Sequence, residues 1–227
     1  MLNGKSISVC IVVHNRIDSI LAVCKAWLAE PIDELFVVDC TCGGLDKVHW
    51  PKGIVHVRFS SDIGNKTRHA IALLTMGDYI IQPDDDVMPL PGFTQELMDG
   101  YSAVKEKGII GVIGRTFHGS RYLGDTKFTR AGLIDAPVQV GFCGVVYFCN
   151  REYIAFDLRD MQNPYNDLYW LCETFPNAQK HVIPAKQFEN LPSCNKGLFQ
   201  NKIAGCKRQD YYEKLWNSFY FLTGRTF

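Results

Sequence analysis

The sequence predicts an α/β fold, with a mainly parallel central sheet and helices on both faces. Three observations lead there. Strand-length β-branched runs alternate with segments of helical spacing through the first half. Several of these runs end in polar or acidic residues, where the strands of a parallel sheet place their ligands. The 227 residues, 47% of them apolar, suffice for one large domain with a substantial core.

The elements follow in order. "SISVCIVVH", residues 6–14, is a β-branched run long enough for a buried strand. "IDSILAVCKAWLA", 17–29, has helical spacing, with Pro31 just past its end. "ELFVVDC", 34–40, and "GIVHVRFS", 53–60, are the second and third strands. "NKTRHAIALLTM", 65–76, reads as a helix stopped by Gly77. "DYIIQ", 78–82, is a fourth strand that runs into "PDDD". "FTQELMDGYSAVKEK", 93–107, is a helix ended by Gly108, and "GIIGVIG" a further strand.

The second half is less regular. "RTFHGSRYLGDTKFTRAG", 115–132, reads as hairpins or a flexible loop, and "VQVGFCGVVYFCNREYI" holds strand-like runs around Gly141 and Gly144. "NPYNDLYWLCETF" reads as a helix opening near Asn166. In the tail, Tyr211, Tyr212, Leu215, Trp216, Phe219 and Tyr220 share one helical stripe. Packing on the core is the first expectation for that stripe; a homodimer contact and a membrane surface are the others.

Composition excludes several classes. Net charge is zero, so no general nucleic-acid binding is expected. No run approaches the ~20 apolar residues of a transmembrane segment. The opening run is short and reads as a strand rather than a signal peptide. Nine cysteines are scattered without a C-x-x-C pair, which suits free thiols in a reducing compartment better than disulfides or zinc. A cytoplasmic location is expected. No G-x-G-x-x-G follows the first strand, and neither a P-loop nor a G-x-S-x-G elbow is present.

What remains is the acid triplet Asp84, Asp85 and Asp86 at the end of the fourth strand. Like charges this close raise one another's pKa unless a cation or donors offset them. Were the segment extended, Asp84 and Asp86 would face one ligand. A hard dication that keeps its waters and bridges phosphate oxygens needs only one or two carboxylates.

"SVCIVVHNR", "LFVVDCT", "DIGNKTRHAIALLTMGDYIIQPDDDVMPLPGF", "GFCGVVYFCNRE" and "NDLYW" stand in order over roughly residues 6–172. Together they resemble the landmarks of family-two-like inverting glycosyltransferases of the GT-A fold. The resemblance implies a single domain over 1–227, with 1–114 as nucleotide-sugar-binding half and 115–227 as acceptor-side half. It implies transfer of a sugar from a nucleotide-diphosphate donor, UDP- or dTDP-linked, to the hydroxyl of a glycan or other acceptor. Mn²⁺ or Mg²⁺ is the implied cofactor. His14 would lie against the nucleobase, Asp39 would accept the base N–H, and Arg68 would lie near base and phosphates. Asp84 would meet the ribose or the metal-bound waters, and Asp86 would ligate the metal. Asp85 completes the substrate-binding triplet, and Gly144 lets backbone approach the donor sugar. Where the family has an acidic pair, this chain has Asn166–Asp167, so Asp167 is the expected catalytic base, with Asp157 and Asp160 in reserve.

Two other readings remain. A sugar-phosphate nucleotidyltransferase carries a glycine-rich loop after its first strand, and "VHNRIDS" has no glycine. A binding module with a decayed catalytic site is the other.

Overall fold

The computed structural model describes residues 2, 4–14, 16–60, 67–117, 126–154 and 179–192. The expected helix at Asn166, the aromatic tail, and Asp157, Asp160 and Asp167 lie outside the described residues. Those described form β1 (Ile7–Val13), α1 (Ile17–Ala29), β2 (Glu34–Asp39), β3 (Ile54–Arg58), α2 (Thr67–Ala72), β4 (Tyr79–Pro83), β5 (Val87–Pro89) and α3 (Phe93–Ala103). There follow β6 (Ile109–Phe117), β7 (Thr126–Arg130), β8 (Val138–Gln139), β9 (Phe142–Asn150), β10 (Lys180–Val182) and β11 (Phe188–Asn190).

The large sheet has the order β3-β2-β1-β4-β9-β6-β10-β8, with β7 also paired to β6. Its first four strands are parallel throughout. β9 enters antiparallel between β4 and β6, and β7 and β8 also run against their partners. The sheet is therefore mixed, mostly parallel in strand direction, and not uniformly of βαβ type. Antiparallel partners need only short connections, and β6 and β7 form one of the hairpins expected for 115–132. β5 and β11 make a separate antiparallel pair.

Every residue of β1 is buried, as a strand covered on both faces requires. Ring contacts identify the covering layers. Trp27 of α1 meets Phe93 of α3 at 5.9 Å, and Tyr101 of α3 meets Tyr79 and Phe148 at 5.9 and 5.1 Å. On the opposite face, His69 Nδ1 of α2 lies 2.9 Å from Gln82 Oε1. Tyr79 and Gln82 are three residues apart on one strand, so they point to opposite faces. α1 and α3 thus cover one side and α2 the other.

Two helices end earlier than spacing predicts. α2 stops at Ala72, where the Thr75 hydroxyl donates to the Ala72 carbonyl at 2.7 Å. The chain then turns in to β1, and a Cβ on Gly77 would lie 2.5 Å from Ser8 Oγ. α3 stops at Ala103 because Lys105 and Glu106 take left-handed φ values of 59° and 53°. The start of α3 has no side-chain cap of its own. Glu30, buried at the end of α1, supplies one: its oxygens accept from Gly92 N at 3.0 Å and Thr94 N at 2.7 Å.

Candidate active site

The strand order 3-2-1-4 puts a topological switch between β1 and β4. β2 is reached from β1 in one direction and β4 from β3 in the other. Open α/β sheets bind ligands beyond the carboxyl ends at such a point. His14 follows β1 there, Asp39 closes β2, and the acid triplet follows β4.

The triplet is not extended. The Asp84 carbonyl accepts from Val87 N at 3.1 Å, which makes residues 84–87 a turn. The alternation expected for Asp84 and Asp86 therefore does not apply. Asp84 pairs with Arg68 Nη1 at 3.0 Å, whereas Asp85 and Asp86 share the guanidinium of Arg16. Arg16 Nη1 binds Asp85 Oδ1, and Nη2 reaches Asp86 Oδ2 at 2.8 Å. Backbone bonds hold the turn from both sides: Asp84 N donates to Val145 O and Leu191 N to Asp86 O, each at 2.8 Å. Val145 takes φ +70°, a costly conformation for a β-branched residue, directly beside the triplet.

Burial and like charge set the electrostatics. Burial pushes the Asp86 carboxyl up to about 6, and the Asp84 charge adds to this against the pull of Arg16. Asp85 is raised as well, again by burial first, with Arg16 opposing. Burial would lower Arg16, but Asp85, Asp86 and Asp84 more than offset it and hold its pKa above the ordinary value.

Arg68 leaves α2 almost fully buried, with its guanidinium 5.8 Å from the Tyr147 ring. Gln82 Nε2 donates to the Arg68 carbonyl at 3.3 Å, so the strand bearing the triplet also fixes the arginine. His14 N donates to Asp85 Oδ2 at 3.4 Å. A Cβ on Gly144 would sit only 3.3 Å from the Phe142 ring, so that face is already closely packed and has no room for a larger side chain without a shift.

Asp39 is fully buried. Its Oδ1 accepts from Thr41 N at 2.8 Å and from the Thr41 hydroxyl at 2.5 Å. Its Oδ2 makes no hydrogen bond and lies 3.6 Å from His56 Nε2. That oxygen is a buried acceptor with unused capacity.

Sequence reasoning missed Arg16. It stands inside the quoted landmark "HNR", but nothing local indicates that its partners are 69 and 70 residues away. His181 lies on β10, paired with β8, and its ring is held below the ordinary histidine value by burial. Cys10, Cys24 and Cys149 are buried free thiols, Cys40 and Cys143 are buried cysteines, and Cys42 is an exposed free thiol. Burial pushes the Cys24 thiol up to about 12, which marks it as an inert core residue.

Three carboxylates are donors of the kind a hard dication accepts, and one or two of them suffice when substrate phosphates complete the shell. The donor chemistry therefore fits Mn²⁺ or Mg²⁺. No assembled cage is present: among the described residues, no group of three His, Cys, Asp or Glu side chains is placed to hold a metal. Among the same residues, no helix is long and apolar enough to cross a membrane.

No family model matches the chain, and a search of curated proteins finds no match. Among solved structures, the chain is similar to residues 1–349 of TarS from S. aureus, a glycosyltransferase. The TM-score is 0.53 at 13% identity, covering 81% of this chain and 59% of that one. This chain thus spans about three fifths of the length of that structure. The likeness concerns the fold, which is glycosyltransferase-like.

Proposed function

We propose that the protein is a metal-dependent inverting glycosyltransferase of the GT-A type that uses a UDP- or dTDP-sugar. The observation that carries this reading is the acid triplet, charge-paired with Arg16 and Arg68 at the switch point of a glycosyltransferase-like fold. Asp86, with Asp84, would hold Mn²⁺ or Mg²⁺, which supplies positive charge to the leaving diphosphate when bound. Arg68 is buried and rigidly held, so its charge is available to phosphate oxygens at little entropic cost. The free Oδ2 of Asp39 suits the imide N–H of uracil or thymine once the side chain is uncovered. Asp167 takes the proton of the acceptor hydroxyl as that oxygen attacks an oxocarbenium-like anomeric carbon.

The test is calorimetric. UDP, dTDP and their sugar conjugates should bind with Mn²⁺ present and outbind ADP, which lacks a ring N–H at the matching edge. Asp86→Ala should abolish the Mn²⁺-dependent part while leaving the far-UV circular dichroism unchanged. Undiminished Mn²⁺-dependent binding in that variant refutes the metal assignment, and equal affinity for all three diphosphates refutes base reading by Asp39.

A further inference from the structure

The triplet already carries a cation. Arg16 stands at the N-terminal boundary of α1, and its two terminal nitrogens each hold one carboxylate of the turn 84–87. Its Nε is buried without a partner, so the guanidinium is tied down only through those two contacts. Its side chain keeps 14% of its exposure, which leaves a route toward solvent. Arg16 and a dication would compete for the same lone pairs on Asp86.

Charge counting makes the competition consequential. Three carboxylates at −3 and two guanidiniums at +2 leave −1 at the site. A dication added alone brings this to +1 in a partly buried setting. A nucleoside diphosphate arriving with the metal restores negative charge and offers Arg16 new oxygens to bind. We propose that Arg16 is a positioning residue: an internal counter-cation that the metal must displace from Asp86, so that metal and nucleoside diphosphate bind as a coupled pair. This rests on the metal reading above and goes beyond it by assigning the coupling to one side chain.

A thermodynamic cycle tests it. Mn²⁺ affinity is measured by calorimetry, with and without UDP, for the wild-type protein, Arg16→Gln, Arg16→Lys and Asp86→Asn. In the wild type, UDP should tighten Mn²⁺ binding at least about fivefold, and Mn²⁺ should tighten UDP by the same factor, as linkage demands. Arg16→Gln should bind Mn²⁺ alone at least about fivefold more tightly, and its coupling factor should fall toward one. Arg16→Lys keeps the charge without the planar fork and should lie between. A purely structural role for Arg16 would weaken metal binding in both variants, and that result overturns the inference. So does unchanged Mn²⁺ affinity in Arg16→Gln while Asp86→Asn abolishes binding; that pattern leaves the metal site standing. Mn²⁺ binding indifferent to Asp86→Asn removes the metal reading itself, and the counter-cation role with it.

Discussion

Glu30→Ala tests how the turn that carries the triplet is anchored. Glu30 is 7% exposed and is the acceptor for the first turn of α3, through Gly92 N at 3.0 Å and Thr94 N at 2.7 Å. α3 begins seven residues after Asp86, and Gly92, at its N-cap, has no side chain to replace the bond. A hydrogen bond to a charged group is worth about 1.5–3 kcal/mol, and a carboxylate at a helix N-terminus gains about 0.3–1 kcal/mol more. The two bonds share one carboxylate, and truncation strands two backbone donors. The expected loss is about 3 kcal/mol. With a urea slope of about 2–3 kcal/mol/M, the unfolding midpoint should drop by about 1 M. Glu30→Gln keeps one acceptor oxygen and should fall between the wild type and Glu30→Ala. Urea titration followed by tryptophan fluorescence reads this out, since Trp27 packs on Phe93 at the same junction. A loss under about 1 kcal/mol for Glu30→Ala, below the worth of even one such bond, would refute trans-capping as the anchor.

The remaining predictions concern charge, backbone and chemistry. Asp86 has a folded pKa of about 6 against 3.8 for an ordinary carboxyl, so its contribution to stability is present below 3.8 and is lost as pH rises through about 6. Metal binding runs the other way, because it needs the anion: Mn²⁺ affinity measured by calorimetry across pH should fall about tenfold per pH unit below about 6. Gly108 has φ +79°, and a Cβ there would meet the Gln179 carbonyl oxygen at 1.9 Å. Gly108→Ala should therefore cost about 3 kcal/mol and lower the calorimetric Tm by about 10 °C. Asp167→Asn should keep donor affinity and lower kcat by roughly 10²–10⁴-fold at saturating donor, as removal of a general base does; near-normal kcat would move the base to Asp157 or Asp160.

The sequence alone determined the parts governed by local rules. Helical spacing and Pro31 delimit α1 at Ile17–Ala29, and the β-branched runs give β1 to β4 to within a residue or two of their observed ends. Those runs also placed His14, Asp39 and the triplet at strand ends, because a strand's end is readable from where its apolar pattern stops. Early helix stops were not legible: Lys105 and Glu106 enter the left-handed region without glycine, and Gly77 owes its place to Ser8, 69 residues earlier. The antiparallel entry of β9 was equally hidden, since strand order is a choice among pairings that local propensity leaves equivalent. At the triplet, alternation failed because Val87 N binds the carbonyl of Asp84 and closes a turn, which Leu191 N then holds through the carbonyl of Asp86. Tertiary structure alone then assigned the charges: Arg68 to Asp84, and Arg16 to Asp85 and Asp86. The physical reason is one of range. Periodicity is decided by neighbours a few residues apart, whereas the balance of three clustered carboxylates depends on cations that only the folded sheet brings within 3 Å.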